Sequence, residues 1–255
     1  NSLEIGGIRI SDLSQIAFCD DTQYLIRERY LRPALENNDR LNFLIADIEQ
    51  IRHTHLIEDR IRQETGFTGE VRQYRHHLCH LASAYYPSGF NEALLVSYDG
   101  MGEWETGLLG VGTSGEIVVQ ETQVVFPHSL GLIYSAFTYY TGFKVNSGEY
   151  KLMGLAPYGE PKYKDLILKN LIDVKEDGTF HLNQKYFNYS TGLTMTNNNF
   201  SNLFGQKVRN SKKEKITQFH MDVAASIQAV TEEIMIKLSK SLRSEYKIPN
   251  LCLAG

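Results

Sequence analysis

Cysteine is scarce in this sequence, and Cys19, Cys79 and Cys252 are spaced too unevenly to staple a fold or to form a Cys-x-x-Cys pair. That argues against a disulfide framework and a thiolate zinc site, and it predicts a reducing, cytoplasmic setting. Long apolar runs are missing too. None reaches the ~18 to 20 residues of a membrane helix, and the first residues lack a charged segment followed by an apolar one, so neither membrane insertion nor secretion is expected. Positive charge is not in excess: the net charge of -4 offers no basic field for nucleic acid. Arg72, Arg75, Lys212, Lys213 and Lys215 therefore read as solvated faces. Internal repeats and Gly/Ser-rich or Pro-rich linkers are also absent, and the polar tract from Thr194 to Ser201 reads as a loop.

What is present is a globular composition. With 255 residues and 42% hydrophobic content, the chain can bury one sizeable core or two modest ones. From Thr22 to about Glu64 the pattern is helical, with a packing stripe at Leu41, Ile45, Ile48 and Ile51 that closes at Gly66 and Gly69. Three strands follow at Ala93 to Tyr98, Thr106 to Val111 and Ile117 to Val125. The Ser114-Gly115-Glu116 turn makes them an antiparallel meander. Pro127-His128-Ser129 then caps a helix running to about Tyr140. A helix near Lys162 to Leu171 and a hairpin around Glu176-Asp177-Gly178 come next. Val223, Ile227, Val230, Ile234 and Leu238 mark one face of a long helix from about Phe219 to Leu242, whose His220 and Asp222 read as structural. Leu251 to Gly255 reads as a buried strand, truncated where a turn should begin. This order predicts an α/β chain that is one partial half of an actin/sugar-kinase-like, ribonuclease H-like domain. A helical part covers residues 1-90, and the half-domain covers 91-255 with an insertion at about 143-218.

The chemistry concentrates in three places. His76 and His80 are four residues apart on a predicted helix, so both imidazoles can face one metal ion, while His77 points elsewhere. Asp99 ends the first strand of the meander. It places a carboxylate beside Gly100 and Gly102, whose backbone amides can approach phosphate. The segment from Thr141 to Gly159 combines glycines with Glu149 and Lys151 and is too apolar for an ordinary solvent loop, which marks it as functional. Glu149 is placed to hold ribose hydroxyls, and Lys151 to meet a negative oxygen or to brace the loop by pairing with Glu149. No catalytic base is assigned.

Four blocks together resemble the NodU/TobZ-type O-carbamoyltransferases: His76 to Gly89, Asp99 to Trp104, Phe126 to Gly131, and Ser147 to Gly159. The likeness runs from about His76 to Gly255, with a more distant similarity to tRNA threonylcarbamoyl-transfer enzymes. The resemblance implies an enzyme that makes carbamoyl-adenylate from carbamoyl phosphate and ATP and passes the carbamoyl group to a small-molecule hydroxyl. It implies a divalent metal, usually iron, on His76, His80 and Asp99, and a nucleotide near Gly100, Gly102, Gly148, Glu149, Lys151 and Gly255. Family members open with a strand pair carrying a phosphate-binding turn, of which Asn1 to Gly7 is at most a remnant. The expected partners are carbamoyl phosphate, the acceptor and a second copy of the chain as a homodimer. Two readings compete with the enzyme: a non-catalytic nucleotide or metal-binding module, and a tRNA-modifying relative.

Overall fold

The computed structural model describes residues 2-36, 39-190 and 192-255. In chain order, a short helix α1 (Ser2–Gly6) leads to strand β1 (Gln15–Phe18) and helix α2 (Thr22–Leu25). A π-helical turn (Ile26–Leu31) connects α2 to α3 (Arg32–Glu36). Helices α4 (Asp39–Ala46), α5 (Ile48–His55) and α6 (Ile57–Thr65) then lead to β2 (Glu70–Gln73) and α7 (His76–Tyr85). Strands β3 (Glu92–Tyr98), β4 (Glu105–Thr113) and β5 (Glu116–Val125) precede α8 (Leu130–Tyr140) and α9 (Glu149–Leu155). The chain continues through α10 (Lys164–Asn170), β6 (Ile172–Val174), β7 (Phe180–Leu182) and α11 (Asn198–Phe204). It closes with α12 (Gln218–Tyr246) and β8 (Leu251–Ala254).

The meander forms as expected. β3, β4 and β5 pair antiparallel, β8 joins β3 in parallel, and the sheet order is β5-β4-β3-β8. β3 is central, and its residues from Ala93 to Ser97 are buried because helices cover both faces. Side chains alternate across a strand, so Ala93 and Leu95 pack with Leu81 and Tyr85 of α7, while Leu94 and Val96 pack with Leu242 of α12. β4 yields space for α7: a β-carbon at Gly112 would stand 2.5 Å from the Tyr85 ring, and one at Gly110 would stand 3.0 Å from Leu81.

A larger core lies beyond the sheet, where α8 to α12 and the β6-β7 hairpin pack together. The predicted loop from Thr194 to Ser201 is here partly helical. Asn197 accepts hydrogen bonds from the Asn199 and Phe200 amides, starting α11. Phe200 and Phe204 then sink into a ring cluster with Phe137 and Tyr140, centroids 5.0 to 5.7 Å apart. A polar N-cap concealed a helix whose burial depends on two aromatic residues.

Three other expectations change. Among the described residues Ser2 to Gly6 is helical, not a hairpin remnant, and Asn1 lies outside them. The predicted stripe is not buried packing: Leu41, Ile45 and Ile48 are 47, 62 and 56% exposed because nothing described covers that face. β8 is not fully buried either. As the end strand of the sheet it buries Cys252 and leaves Leu253 51% exposed. No helix among the described residues is long and apolar enough to cross a membrane.

Candidate metal centre and adjoining cleft

Two periodicities bring the candidate metal residues together. On α7, His77, Leu81 and Tyr85 recur at four-residue spacing and are buried against the sheet, which turns His76 and His80 along a neighbouring ridge. On β3, Ala93, Leu95 and Ser97 face α7. The same parity carries Asp99, just past the strand, to the α7 side. The His76 and His80 Nε2 atoms lie 2.8 and 3.2 Å from the same oxygen, Oδ2 of Asp99, and 3.0 Å from each other. These three side chains are a group of possible metal ligands among the described residues.

The donor set fits a divalent ion. Three atoms about 2.1 Å from one centre stand about 3 Å apart when their bonds meet at roughly right angles, which leaves the opposite positions open for oxygen ligands. The side chains are 25 to 34% exposed, so an ion has a way in. Without an ion, contact with Asp20 and then Asp99 pushes His76 up to about 10. The His76 hydrogen bond in turn holds Asp99 far below the usual carboxylate range.

His77 has a different task. Its Nε2–H donates to the Glu105 carbonyl at 2.9 Å, which leaves Nδ1 to accept from the Ser97 hydroxyl at 2.7 Å. Burial lowers its pKa, so the neutral ring joins α7 to β3 and β4.

Asp99 also lines a cleft of about 760 Å³ together with Gly100, Gly131, Ser135, Glu149 and Gly255. Ser129 sets the approach of α8, whose first residues line the cleft. The single Ser129 hydroxyl proton is shared between the Asp99 and Gly100 carbonyls, at 2.9 and 2.7 Å, and its oxygen accepts from the Leu132 amide, which aims the start of α8 at the Asp99 turn. Glu149 is fixed on the opposite wall by the Ser135 hydroxyl and the Asn146 and Gly148 amides, at 2.8 to 3.1 Å. Burial pushes its pKa up, but these hydrogen bonds outweigh it and the net shift is downward.

The expected nucleotide residues divide. Gly100, Glu149 and Gly255 line this cleft, whereas Gly102, Gly148 and Lys151 do not. A β-carbon at Gly102 would touch His76 and His77, so that glycine makes room for the histidine helix. Gly148 is buried under Phe143 and Lys144, where a β-carbon would stand 2.6 Å from the Lys144 carbonyl. Lys151 is exposed with its amine 5.8 Å from the Tyr150 ring centroid, and the ion pair with Glu149 does not form. The glycine amides are not free donors either: that of Gly100 turns onto Asp99 Oδ1 at 2.6 Å, and that of Gly102 donates to the Glu105 carbonyl at 2.9 Å. A tight acidic turn satisfies itself before it can serve a ligand. His220 caps α12 with Thr217, and Asp222 binds the Glu160 amide and Lys162.

Sequence reasoning missed Asp20 and Glu103. The Glu103 side chain is fully buried and accepts from the His76 amide, while Asp20 Oδ1 lies 3.5 Å from His76 Nδ1. Both contacts are long-range, and the one local signal was the acid pair Asp20-Asp21, one residue beyond a short strand.

Comparisons with known proteins bear on the family of the chain. Residues 15–255 match the family described as carbamoyltransferase N-terminus. The uncharacterized protein sll1178 of Synechocystis is 60% identical over 180 residues, 71% of this chain and 29% of that protein. Nodulation protein NolNO of Sinorhizobium fredii is 30% identical over 261 residues, 99% of this chain and 34% of that protein. The chain thus spans about a third of the length of these relatives. A Ppx/GppA phosphatase of Aquifex aeolicus superposes only loosely, with a TM-score of 0.28 and 15% identity over 81% of this chain and 68% of that one. A match that runs from β1 to β8 and takes in His76, His80 and Asp99 shows that this chain belongs to the carbamoyltransferase N-terminal family.

Proposed function

We propose that the chain is the N-terminal portion of an O-carbamoyltransferase. The enzyme makes carbamoyl-adenylate from carbamoyl phosphate and ATP and delivers the carbamoyl group to a hydroxyl of a small molecule. One observation carries the reading: Asp99 belongs at once to the metal triad and to the lining of the 760 Å³ cleft. A phosphorylated ligand in that cleft would therefore reach the triad. The sheet order β5-β4-β3-β8, antiparallel throughout except for its last pair, supports assigning the cleft to one half of an actin-like domain.

The residues divide the work. His76, His80 and Asp99 would hold a divalent ion, Fe2+ by resemblance, which when bound supplies positive charge beside a phosphate oxygen. The amino-terminal end of α8, at Leu130 and Gly131 on the cleft lining, favours an anion through its helix dipole. Glu149 keeps acceptor capacity on its cleft side and suits a ribose hydroxyl. Gly255 has φ of +114° and approaches Tyr98 so closely that a side chain there would collide with the Tyr98 carbonyl, which keeps that wall open.

The test uses labelled carbamoyl phosphate and ATP with the protein at the full length of its relatives, offered a panel of hydroxylated small molecules and tRNA. The expected result is an O-carbamoylated small molecule and loss of transfer in His80→Ala. Labelling of tRNA while small alcohols are ignored would move the chain to the threonylcarbamoyl branch. ATP binding with no transfer to any acceptor would leave a nucleotide-binding module.

A further inference from the structure

We infer that Asp20 is the outer carboxylate of the metal centre, clamped in place by Glu103 so that His76 keeps its proton on Nδ1 and turns the Nε2 lone pair toward the ion. The inference rests on the reading of His76, His80 and Asp99 as metal ligands.

The geometry begins with the backbone. β1 runs parallel to β2 with Phe18 opposite Gln73, and the Tyr74 amide donates to the Phe18 carbonyl at 2.9 Å. Four residues later the chain is tied down again. The Thr22 amide and hydroxyl both donate to Gln73 Oε1, at 2.9 and 2.7 Å. The turn carrying Asp20 is therefore fixed at both ends to the segment that enters α7.

Glu103 completes the clamp from the other side. One of its oxygens, Oε1, accepts from the Asp21 amide and from the His76 amide, both at 2.9 Å. The other oxygen is buried without a hydrogen-bond partner, so the carboxylate is committed to joining those two backbone positions. Asp20 precedes one of them, and His76 is the other.

The neighbouring acids are occupied elsewhere. Asp21 caps α2 by accepting from the Tyr24 amide, and Glu105 accepts from Tyr24 and Arg75. Asp20 alone among these acids directs its carboxylate at the His76 ring, with Oδ1 3.5 Å from Nδ1. Nε2, on the opposite edge of that ring, faces His80 and Asp99. A histidine that binds metal through one nitrogen is oriented by an acceptor at the other, and loss of that acceptor weakens metal binding about 10- to 100-fold. Asp20 is thus a positioning residue: it touches neither ion nor substrate.

The experiment measures Co2+ affinity of the 255-residue chain by competition with a chromogenic chelator, alongside the melting temperature of each metal-free protein. Wild type, Asp20→Ala, Asp20→Glu and His80→Ala are compared. The expected result is a loss of about 10- to 100-fold in Asp20→Ala, partial recovery in Asp20→Glu and an unchanged metal-free melting temperature. Asp20→Ala binding Co2+ within twofold of a tight wild type would overturn the role of Asp20 and leave the triad intact. A wild type that binds no better than His80→Ala would overturn the triad and the inference with it. Weakened binding that comes with a lowered metal-free melting temperature, and without recovery in Asp20→Glu, would make Asp20 structural and also overturn the inference.

Discussion

Gly131 lies so close to Gly100 that a β-carbon on Gly131 would stand 2.5 Å from the Gly100 amide nitrogen and 2.7 Å from the Asp99 carbonyl. Both neighbours are backbone, so neither can swing aside. Gly131→Ala should push α8 away from the Asp99 turn and cost about 1 to 3 kcal/mol of stability. Because that turn also carries a metal ligand, Co2+ affinity should fall with it. Denaturant unfolding and chelator competition on the same variant check both effects, and a variant with native stability and affinity would refute the close packing.

His77 and His80 should separate cleanly when each is changed to alanine. His77→Ala leaves the buried Ser97 hydroxyl without its partner and the Glu105 carbonyl with the Gly102 amide alone, at a cost of about 1 to 3 kcal/mol. His80→Ala removes a half-exposed ligand and should abolish metal retention while changing stability by less than about 1 kcal/mol. Metal analysis beside urea unfolding decides the matter, since the opposite pattern would exchange the two roles.

For nucleotide, the placement of Glu149 and Lys151 predicts unequal effects. ADP with Mg2+ should bind the chain in the roughly micromolar to millimolar range by calorimetry. Glu149→Ala should weaken binding about tenfold, as expected for one lost charge-assisted hydrogen bond. Lys151→Ala should remain within twofold, because that amine stands outside the cleft. Equal losses would bring Lys151 back to the ligand.

Two histidines should cost the fold stability in mild acid. His128 and His220 are both held below the usual 6.5, His128 by burial and then by His181, and His220 by burial and then by Arg209. An unfolded chain would protonate each ring before the native state does. Their contribution is therefore complete above about pH 6.5 and is lost as pH falls from there through the depressed native values. His76, held protonated beside Asp20 and Asp99, works in the opposite direction over this range, so the readout is a difference between variants. The urea midpoint of His128→Asn should trail that of wild type by less at pH 5 than at pH 7, and a gap between the two that stayed constant would contradict the assignment.

The meander, the capped α8 and the long α12 were legible because each follows from local periodicity and a local stop signal. His76, His80 and Asp99 were legible for a related reason, since helix spacing and strand parity fix which way each side chain points. Asp20 and Glu103 were not, because they reach His76 from positions 56 and 27 residues away in the sequence, across contacts that pattern reading does not reveal. The β1-β2 pair escaped for want of length: each strand has four residues, and the partner lies beyond five helices. Charge and glycine content suggested a ligand loop around Lys151, whereas residues 149 to 155 form a helix whose register turns the amine outward.

The alternation along β3 has a consequence for how this family can vary. Removing or inserting a single residue between Ala93 and Tyr98 would turn the following carboxylate from the α7 side of the sheet to the α12 side, however well the apolar residues repacked. A change of two residues would restore the side and alter only the reach. Strand length here is therefore permitted in even steps, whereas the connection between α7 and β3 is free of that rule.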